Sequence, residues 1–243
     1  MARVVSLVPS VTETLVALGV PPVGCTRFCR QPSIPDVGGT KNPDVAAIAD
    51  LVPHAVIVNE EENRIEDVAA MEELGLRVVP VSVSSVEEAG QAVVEIAGVA
   101  DVDPPEEFGD GAWRQWLEAR DPVPPGTRVF APIWVRPWMT LNGATYGSSM
   151  LSMLGLDNVF SDASDRYPEV EIPAVQALRP DLVLLPTEPY PFQERHVTRV
   201  AEWFPDARVS LIDGDDLFWW GIRTPAALAR LSTFVQTLTG PRS

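Results

Sequence analysis

Eight positions in the first half of the chain recur at one spacing in the second. Val45, Ile48, Leu51, Pro53, Val56, Ile57, Val58 and Glu61 match Ile172, Val175, Leu178, Pro180, Val183, Leu184, Leu185 and Glu188, each pair 127 residues apart. "RVV" at 3 to 5 likewise matches "RVF" at 128 to 130, and "LGV" at 18 to 20 matches "LGL" at 154 to 156. Any two α/β units would share some of this apolar pattern, but the order of elements repeats too, which favours two similar lobes. Within each half, short valine-rich runs alternate with helical patterns: 3 to 8, 55 to 58, 77 to 81, 128 to 135, 181 to 185 and 208 to 212. Short apolar runs bounded by Pro and Gly and separated by helices predict parallel sheets covered on both faces, an α/β fold.

Between the halves, Pro104, Pro105, Glu106 and Glu107 suit a first helical turn, and "AWRQWLEAR" continues with helix formers until Asp121-Pro122. The spacing predicts a connecting helix at 104–123, weakened by Gly109 and Gly111. It separates an N-terminal lobe, 1–103, from a C-terminal lobe, 124–243.

Thirty-four acidic against eighteen basic side chains leave a net charge of −16, which repels nucleic-acid phosphates and anionic membrane surfaces. No apolar run is long enough to span a membrane. Pro9 and Glu13 interrupt the opening apolar stretch, which reads as a first strand and helix rather than a leader. Two locations follow: extracytoplasmic if a signal segment was trimmed, cytoplasmic if Met1 is the native start.

Ligands of open α/β sheets bind beyond the carboxyl ends of the strands. In the first half these ends carry Ser10 in "PSVTETL", where Ser10 or Thr12 can cap a helix, Phe28 and Lys41 in a long loop, and Asn59, Glu60 and Glu61 in "NEEENR". In the second half they carry Trp134, Arg136, Trp138, Tyr146, Arg166, Tyr167, Glu188, Tyr190, Phe192, Trp219 and Trp220. Four of the seven tryptophans and all three tyrosines fall in these segments. They suit either a hydrophobic cap on the sheet or, the reading preferred, a flat apolar ligand gripped between ring faces. The glutamates of "NEEENR" suit a solvated helix entry with Asn63 as cap, or polar groups offered to a ligand's rim. Glu61 and Glu188 correspond across the repeat and would act together.

Other chemistries lack their residues. Only His54 and His196 could supply imidazole to a metal, and no GxSxG elbow or Walker-type loop occurs. His196 with Glu188 is the one ionisable pair that an enzyme of tetrapyrrole or metal handling could use. Cys25 and Cys29 read as a small buried hydrophobe and a loop residue more than as a metal pair, and a disulfide between them is weakly supported.

Taken together, "RVVSLVPSVTETLVALG", "VGCTRFC", "DVGGTKNPDVAAIADLVPHAVIVNEEEN", "PWMT", "DRYPEV" and "RPDLVLLPTEPYPF" resemble the helical-backbone metal receptors. These are the class III substrate-binding proteins of ABC importers, and the likeness covers nearly the whole chain, most of all to the vitamin B12-binding branch. It implies two Rossmann-like lobes with central parallel sheets joined by a single long helix, a ligand cleft between the lobes, and no enzymatic activity. The implied ligand is a corrinoid or another metal chelate such as haem or a ferric siderophore, carried as cargo with no intrinsic cofactor. The implied partner is an ABC permease, met by a monomer. Tyr167 stands where B12 receptors place an aromatic against the corrin, with Trp138 and Trp220 facing the same space. Asn59 departs from the large aromatic those receptors carry. Glu66 and Glu171 lie near the acidic residues that transport-linked members offer to the permease. The alternative without transport is a cytoplasmic binding or sensing protein for a small aromatic ligand.

Overall fold

Valine-rich runs pair as parallel strands in two separate sheets. The computed structural model describes residues 2–109, 111–118 and 126–239. They fall into two units, one drawn from 1–83, 87–119 and 220–222, the other from 84–86, 120–219 and 223–243.

The first unit runs β1 (Val4–Ser6), α1 (Pro9–Ala17), β2 (Gly24–Cys25), the hairpin β3 (Gly38–Gly39) and β4 (Asn42–Pro43), α2 (Val45–Asp50), β5 (Ala55–Val58), α3 (Ile65–Glu73), β6 (Val78–Pro80), α4 (Val86–Val99) and α5 (Ala112–Glu118). Its parallel sheet has the order β2-β1-β5-β6. Val5, Val56 and Val58 from the strands and Leu7 just after β1 meet Ile48 of α2 and Met71 of α3 in its core. Each side chain lies on the sheet or on a helical stripe facing it, the pattern that removes most apolar area from water.

The second unit runs β7 (Thr127–Phe130), α6 (Tyr146–Met153), β8 (Leu156–Asn158), α7 (Ile172–Ala177), β9 (Leu182–Pro186), α8 (Glu194–Trp203), β10 (Arg208–Ile212), α9 (Gly214–Phe218) and α10 (Thr224–Thr239). Its order, β8-β7-β9-β10, repeats that of the first sheet strand for strand. Phe130, Val183, Leu185, Val175, Phe192, Val200 and Phe204 form its core.

The repeat extends to local detail. Helices α2 and α7 end in residues with positive φ at the same offset, Val52 at 44° and Arg179 at 48°. Before β5, the His54 amide donates to the Arg3 carbonyl; before β9, the Asp181 amide donates to that of Arg128. The guanidiniums of Arg3 and Arg128 donate to the carbonyls ending α2 and α7: Arg3 to Leu51, Arg128 to Leu178 at 2.9 Å. Both "LG" pairs close helices, with Gly19 and Gly155 at φ 76° and 73°, a region where a β-carbon is costly.

The connecting segment corrects the expectation of one continuous helix. Among its described residues it forms a single 3-10 turn, Glu106–Phe108, and then the seven residues of α5. Gly109 is extended (φ −86°, ψ 163°) and Gly111 has φ 82°, so the two glycines break the helix they were expected only to weaken. Phe108, Trp113 and Trp116 stack at 5.1 and 4.7 Å, and Trp113 Nε1 donates to the Glu87 carbonyl of α4 at 3.0 Å. Trp113 lies where a β-carbon on Gly90 would stand, so the segment packs on α4. Asp110 and the expected stop at Asp121-Pro122 lie outside the described residues. No helix of the described residues is long and apolar enough to cross a membrane.

Candidate ligand-binding site

At the carboxyl end of the first sheet, two asparagines tie four segments together. Asn59 Nδ2 donates to the Val81 carbonyl beyond β6 (2.9 Å), and its Oδ1 accepts from the Glu61 amide (2.8 Å). Asn63 Oδ1 accepts from the Asn59 amide (2.8 Å), and its Nδ2 donates to Thr40 O in the hairpin (2.9 Å) and Leu7 O after β1 (3.4 Å). Lys41 Nζ reaches the Glu61 carbonyl at 2.6 Å. This knot corrects two expectations. Asn59 is 3% exposed with both ends of its amide spent inside the fold, so it offers nothing to a ligand's rim. Asn63 caps no helix: the N-cap of α3 is Arg64, and the first-turn carboxylates are Glu66 and Asp67. Glu60 and Glu61 remain on the exposed turn that the knot holds.

Ser10 is buried in α1, whose N-cap is Val8 with Pro9 at the first helical position. Neither Ser10 nor Thr12 caps that helix; Ser10 O accepts from Thr14 Oγ1, and Thr12 Oγ1 donates to Cys29 Sγ. Phe28, 51% exposed, lies under the Arg27 guanidinium at 5.3 Å. Beside it a cavity of about 640 Å³ is lined by Cys25, Thr26, Arg27, Arg30 and Asp36 among others.

In the second unit the segments after β7 and before α7 run side by side. Thr140 N donates to Pro168 O, Asn142 N to Arg166 O and Val170 N to Trp138 O, with Met139 bridged to Glu169. "PWMT" and "DRYPEV" therefore share one edge, with Trp138 opposite Val170 and Arg166 opposite Asn142. Arg166 donates twice to the Ala144 carbonyl. Arg136 sits exposed at φ 63° in the tight turn joining Trp134 to Met139. Asp213 caps α9, and Thr187 Oγ1 accepts from the Gly214 amide (2.9 Å), packing that glycine against the Glu188 backbone.

The loop aromatics divide. Trp138 stacks on Phe192 at 6.1 Å and meets Trp203 edge-on at 5.8 Å; Tyr190 meets Phe192 at 4.7 Å. Phe192 is 2% exposed, so much of this set caps the core of the second unit. Tyr146 is a buried member of α6 whose hydroxyl bonds Thr224 at 3.0 Å, and burial raises its pKa; it is not a loop residue. Trp220 is buried as well. Trp219 is half-buried beside the Arg223 guanidinium (5.2 Å), which Asp216 holds together with Arg230. Trp134 is 44% exposed, edge-on to Tyr190 at 5.6 Å.

His196, the imidazole of the enzymatic alternative, belongs to a helix cap. Its Nδ1 accepts from the Gln193 amide at 2.8 Å, completing a capping box at the start of α8. Burial, then the cations of Arg195 and Arg199, lower its pKa, which keeps this acceptor nitrogen unprotonated. Among the described residues no group of three His, Cys, Asp or Glu side chains could hold a metal ion.

Known proteins agree with this architecture. The vitamin B12-binding protein of Salmonella choleraesuis (strain SC-B67) is 24% identical over 192 residues, 75% of this chain and 71% of the relative. The periplasmic vitamin B12 binding protein of Vibrio cholerae superimposes with a TM-score of 0.78 at 20% identity, covering 99% of this chain and 98% of that one. The periplasmic haem-binding protein of Vibrio cholerae gives 0.78 at 19% identity, covering 96% and 98%. The model of the family described as periplasmic binding protein matches residues 4–199. That family is extracytoplasmic, and its members bind small molecules rather than transform them. The chain, matched over most of its length, belongs to the periplasmic binding protein family.

Proposed function

We propose that the protein captures a planar metal chelate of the corrinoid or haem class and hands it to an ABC-type permease. One observation carries the reading: the aromatic face at the carboxyl end of the second sheet, where exposed Trp134 stands edge-on to Tyr190, and Tyr190 meets the buried Phe192 that stacks on half-buried Trp138. A ring held by packing loses little entropy when it meets a flat apolar partner, so this face suits a macrocycle. The B12- and haem-binding relatives support the same ligand class. The ligand is cargo, bound and released unchanged. Arg136 and Arg166 on the same unit supply exposed charges near this face, suited to the polar rim of such a chelate.

Titration of the purified protein with cyanocobalamin, cobinamide, haemin and a ferric siderophore, read by tryptophan quenching and calorimetry, tests this reading. Saturable binding of one corrinoid or haemin is expected, weakened roughly tenfold or more by Trp134→Ala with the melting temperature unchanged. Absence of heat and quench with all four would overturn the assignment.

A further inference from the structure

Cys25 ends β2, and Cys29 closes the single 3-10 turn Arg27–Cys29. Both are buried and unbridged. Three groups from separate points of the first unit converge on Cys29 Sγ: Thr12 Oγ1 of α1 donates to it at 3.1 Å, the Thr26 hydroxyl shares a hydrogen bond with it at 3.3 Å, and the Cys25 thiol bonds it as well. A buried thiol in apolar surroundings stays protonated and inert. Here the hydrogen bonds, that of Cys25 foremost and those of Thr12 and Thr26 after it, outweigh burial and bring the Cys29 pKa down to about 6. Cys25 moves the other way, raised by its bond to Cys29, by burial and by the Asp36 carboxylate. Cys29 is therefore the more acidic thiol of the pair. Cys25 and Thr26, with Arg27 and Arg30, line the 640 Å³ cavity, so a small polar oxidant that enters it reaches the pair from the Cys25 side.

We propose that Cys25 and Cys29 are a redox-active pair, with Cys29 as the nucleophile toward small hydroperoxides and Cys25 as the resolving thiol. The Cys29 thiolate attacks the distal peroxide oxygen: an S–O bond forms, the O–O bond breaks, and the alkoxide or hydroxide leaving group takes a proton from solvent. The Cys25 sulfur then displaces the oxygen of the Cys29 sulfenic acid. The S–S bond forms, the S–O bond breaks, and departing hydroxide takes the Cys25 proton to become water. Overall the dithiol loses two electrons and two protons, and the hydroperoxide becomes an alcohol, or water, plus water. The disulfide would bridge the segment that displays Arg27 and Phe28.

The reduced full-length protein treated with one equivalent of hydrogen peroxide provides the test. It is expected to lose both thiols and the mass of two hydrogen atoms. Trypsin cuts after Arg27, so peptide 4–27 and peptide 28–30 would then remain joined only through sulfur and separate on reduction. Cys25→Ser should stop at a sulfenic acid that dimedone traps on Cys29, and Cys29→Ser should keep its remaining thiol. Iodoacetamide labelling of Cys29 should reach half its limiting rate near pH 6, and the paired change Thr12→Val and Thr26→Val should move that midpoint upward. The proposal is overturned if the oxidised wild-type digest holds no sulfur-linked peptide pair, or if Cys29 labels with the midpoint of an ordinary thiol near 9.

Discussion

Asn59 and Asn63 decide what their three acidic neighbours can do. With both amides satisfied internally, Glu60, Glu61 and Glu62 form a turn rather than a helix start, and the carboxylates that complement the α3 dipole are the later Glu66 and Asp67. Asn59→Ala would leave Val81 O and the Glu61 amide without partners. It should lower stability by about 1–3 kcal/mol in urea unfolding, the usual cost of unsatisfied buried polar groups. A change within error would mean that water replaces the side chain. The partners of the knot lie 22, 23 and 56 residues away, beyond the reach of any local reading of "NEEENR". His196 is the second residue whose role changed. Its folded pKa lies below its ordinary value, so the cap contributes fully above about pH 6.5 and is lost as pH falls through the lower folded value. His196→Gln keeps a capping-box acceptor that does not titrate, and should lose less stability than wild type on acidification, by about 1 kcal/mol. Parallel losses in the two proteins would show that the cap is not the acid-sensitive element.

Elements follow the apolar runs closely where the runs are long and buried. Ala55–Val58 and Arg208–Ile212 coincide with their expected strands, while 128–135 shortens to Thr127–Phe130 because its second half turns into the Trp134–Met139 loop. The edge strands Gly24–Cys25 and Leu156–Asn158 are too short to stand out as apolar runs. Composition misled most in the connecting segment and in the loop aromatics. Helix formers there are overruled by two glycines, and rings such as Phe192 serve the core beneath the loop. Two glycines separate packing from propensity. A β-carbon on Gly214 would lie inside contact distance of the Glu188 backbone, 2.9 Å from its Cα and O, whereas one on Gly98 in α4 meets nothing within 4 Å. Gly214→Ala should therefore destabilise by about 1–3 kcal/mol, and Gly98→Ala should be neutral or stabilising by up to about 1 kcal/mol in thermal melts. Equal effects at the two sites would contradict the packing.

At the scale of the molecule, the repeat is the organising fact: two sheets of identical order, matched arginine clasps and matched helix ends. A net charge of −16 favours cationic partners. Glu66, in the first turn of α3, and Glu171, at the N-cap of α7, are both exposed, and the proposed hand-over to a permease assigns them as its acidic contacts. Charge reversal of both, Glu66→Arg with Glu171→Arg, should abolish ligand uptake in reconstituted vesicles while leaving ligand affinity within about twofold, since rim charges act on association rather than on a distant site. Undiminished uptake would remove these residues from the docking role.

The sequence by itself determined the α/β class, the two-fold repeat and most strand positions, because hydrophobic period and turn residues act locally and additively. Which side chains stand available at the strand ends was decided only by tertiary structure. Asn59, Tyr146, Phe192 and Trp220 are of binding type and sit at or near those ends, yet remote partners bury them; Trp134 keeps an open face because Tyr190 meets it edge-on. Solvent exposure and hydrogen-bond satisfaction are sums over neighbours distant in the chain, and no spacing along it records them.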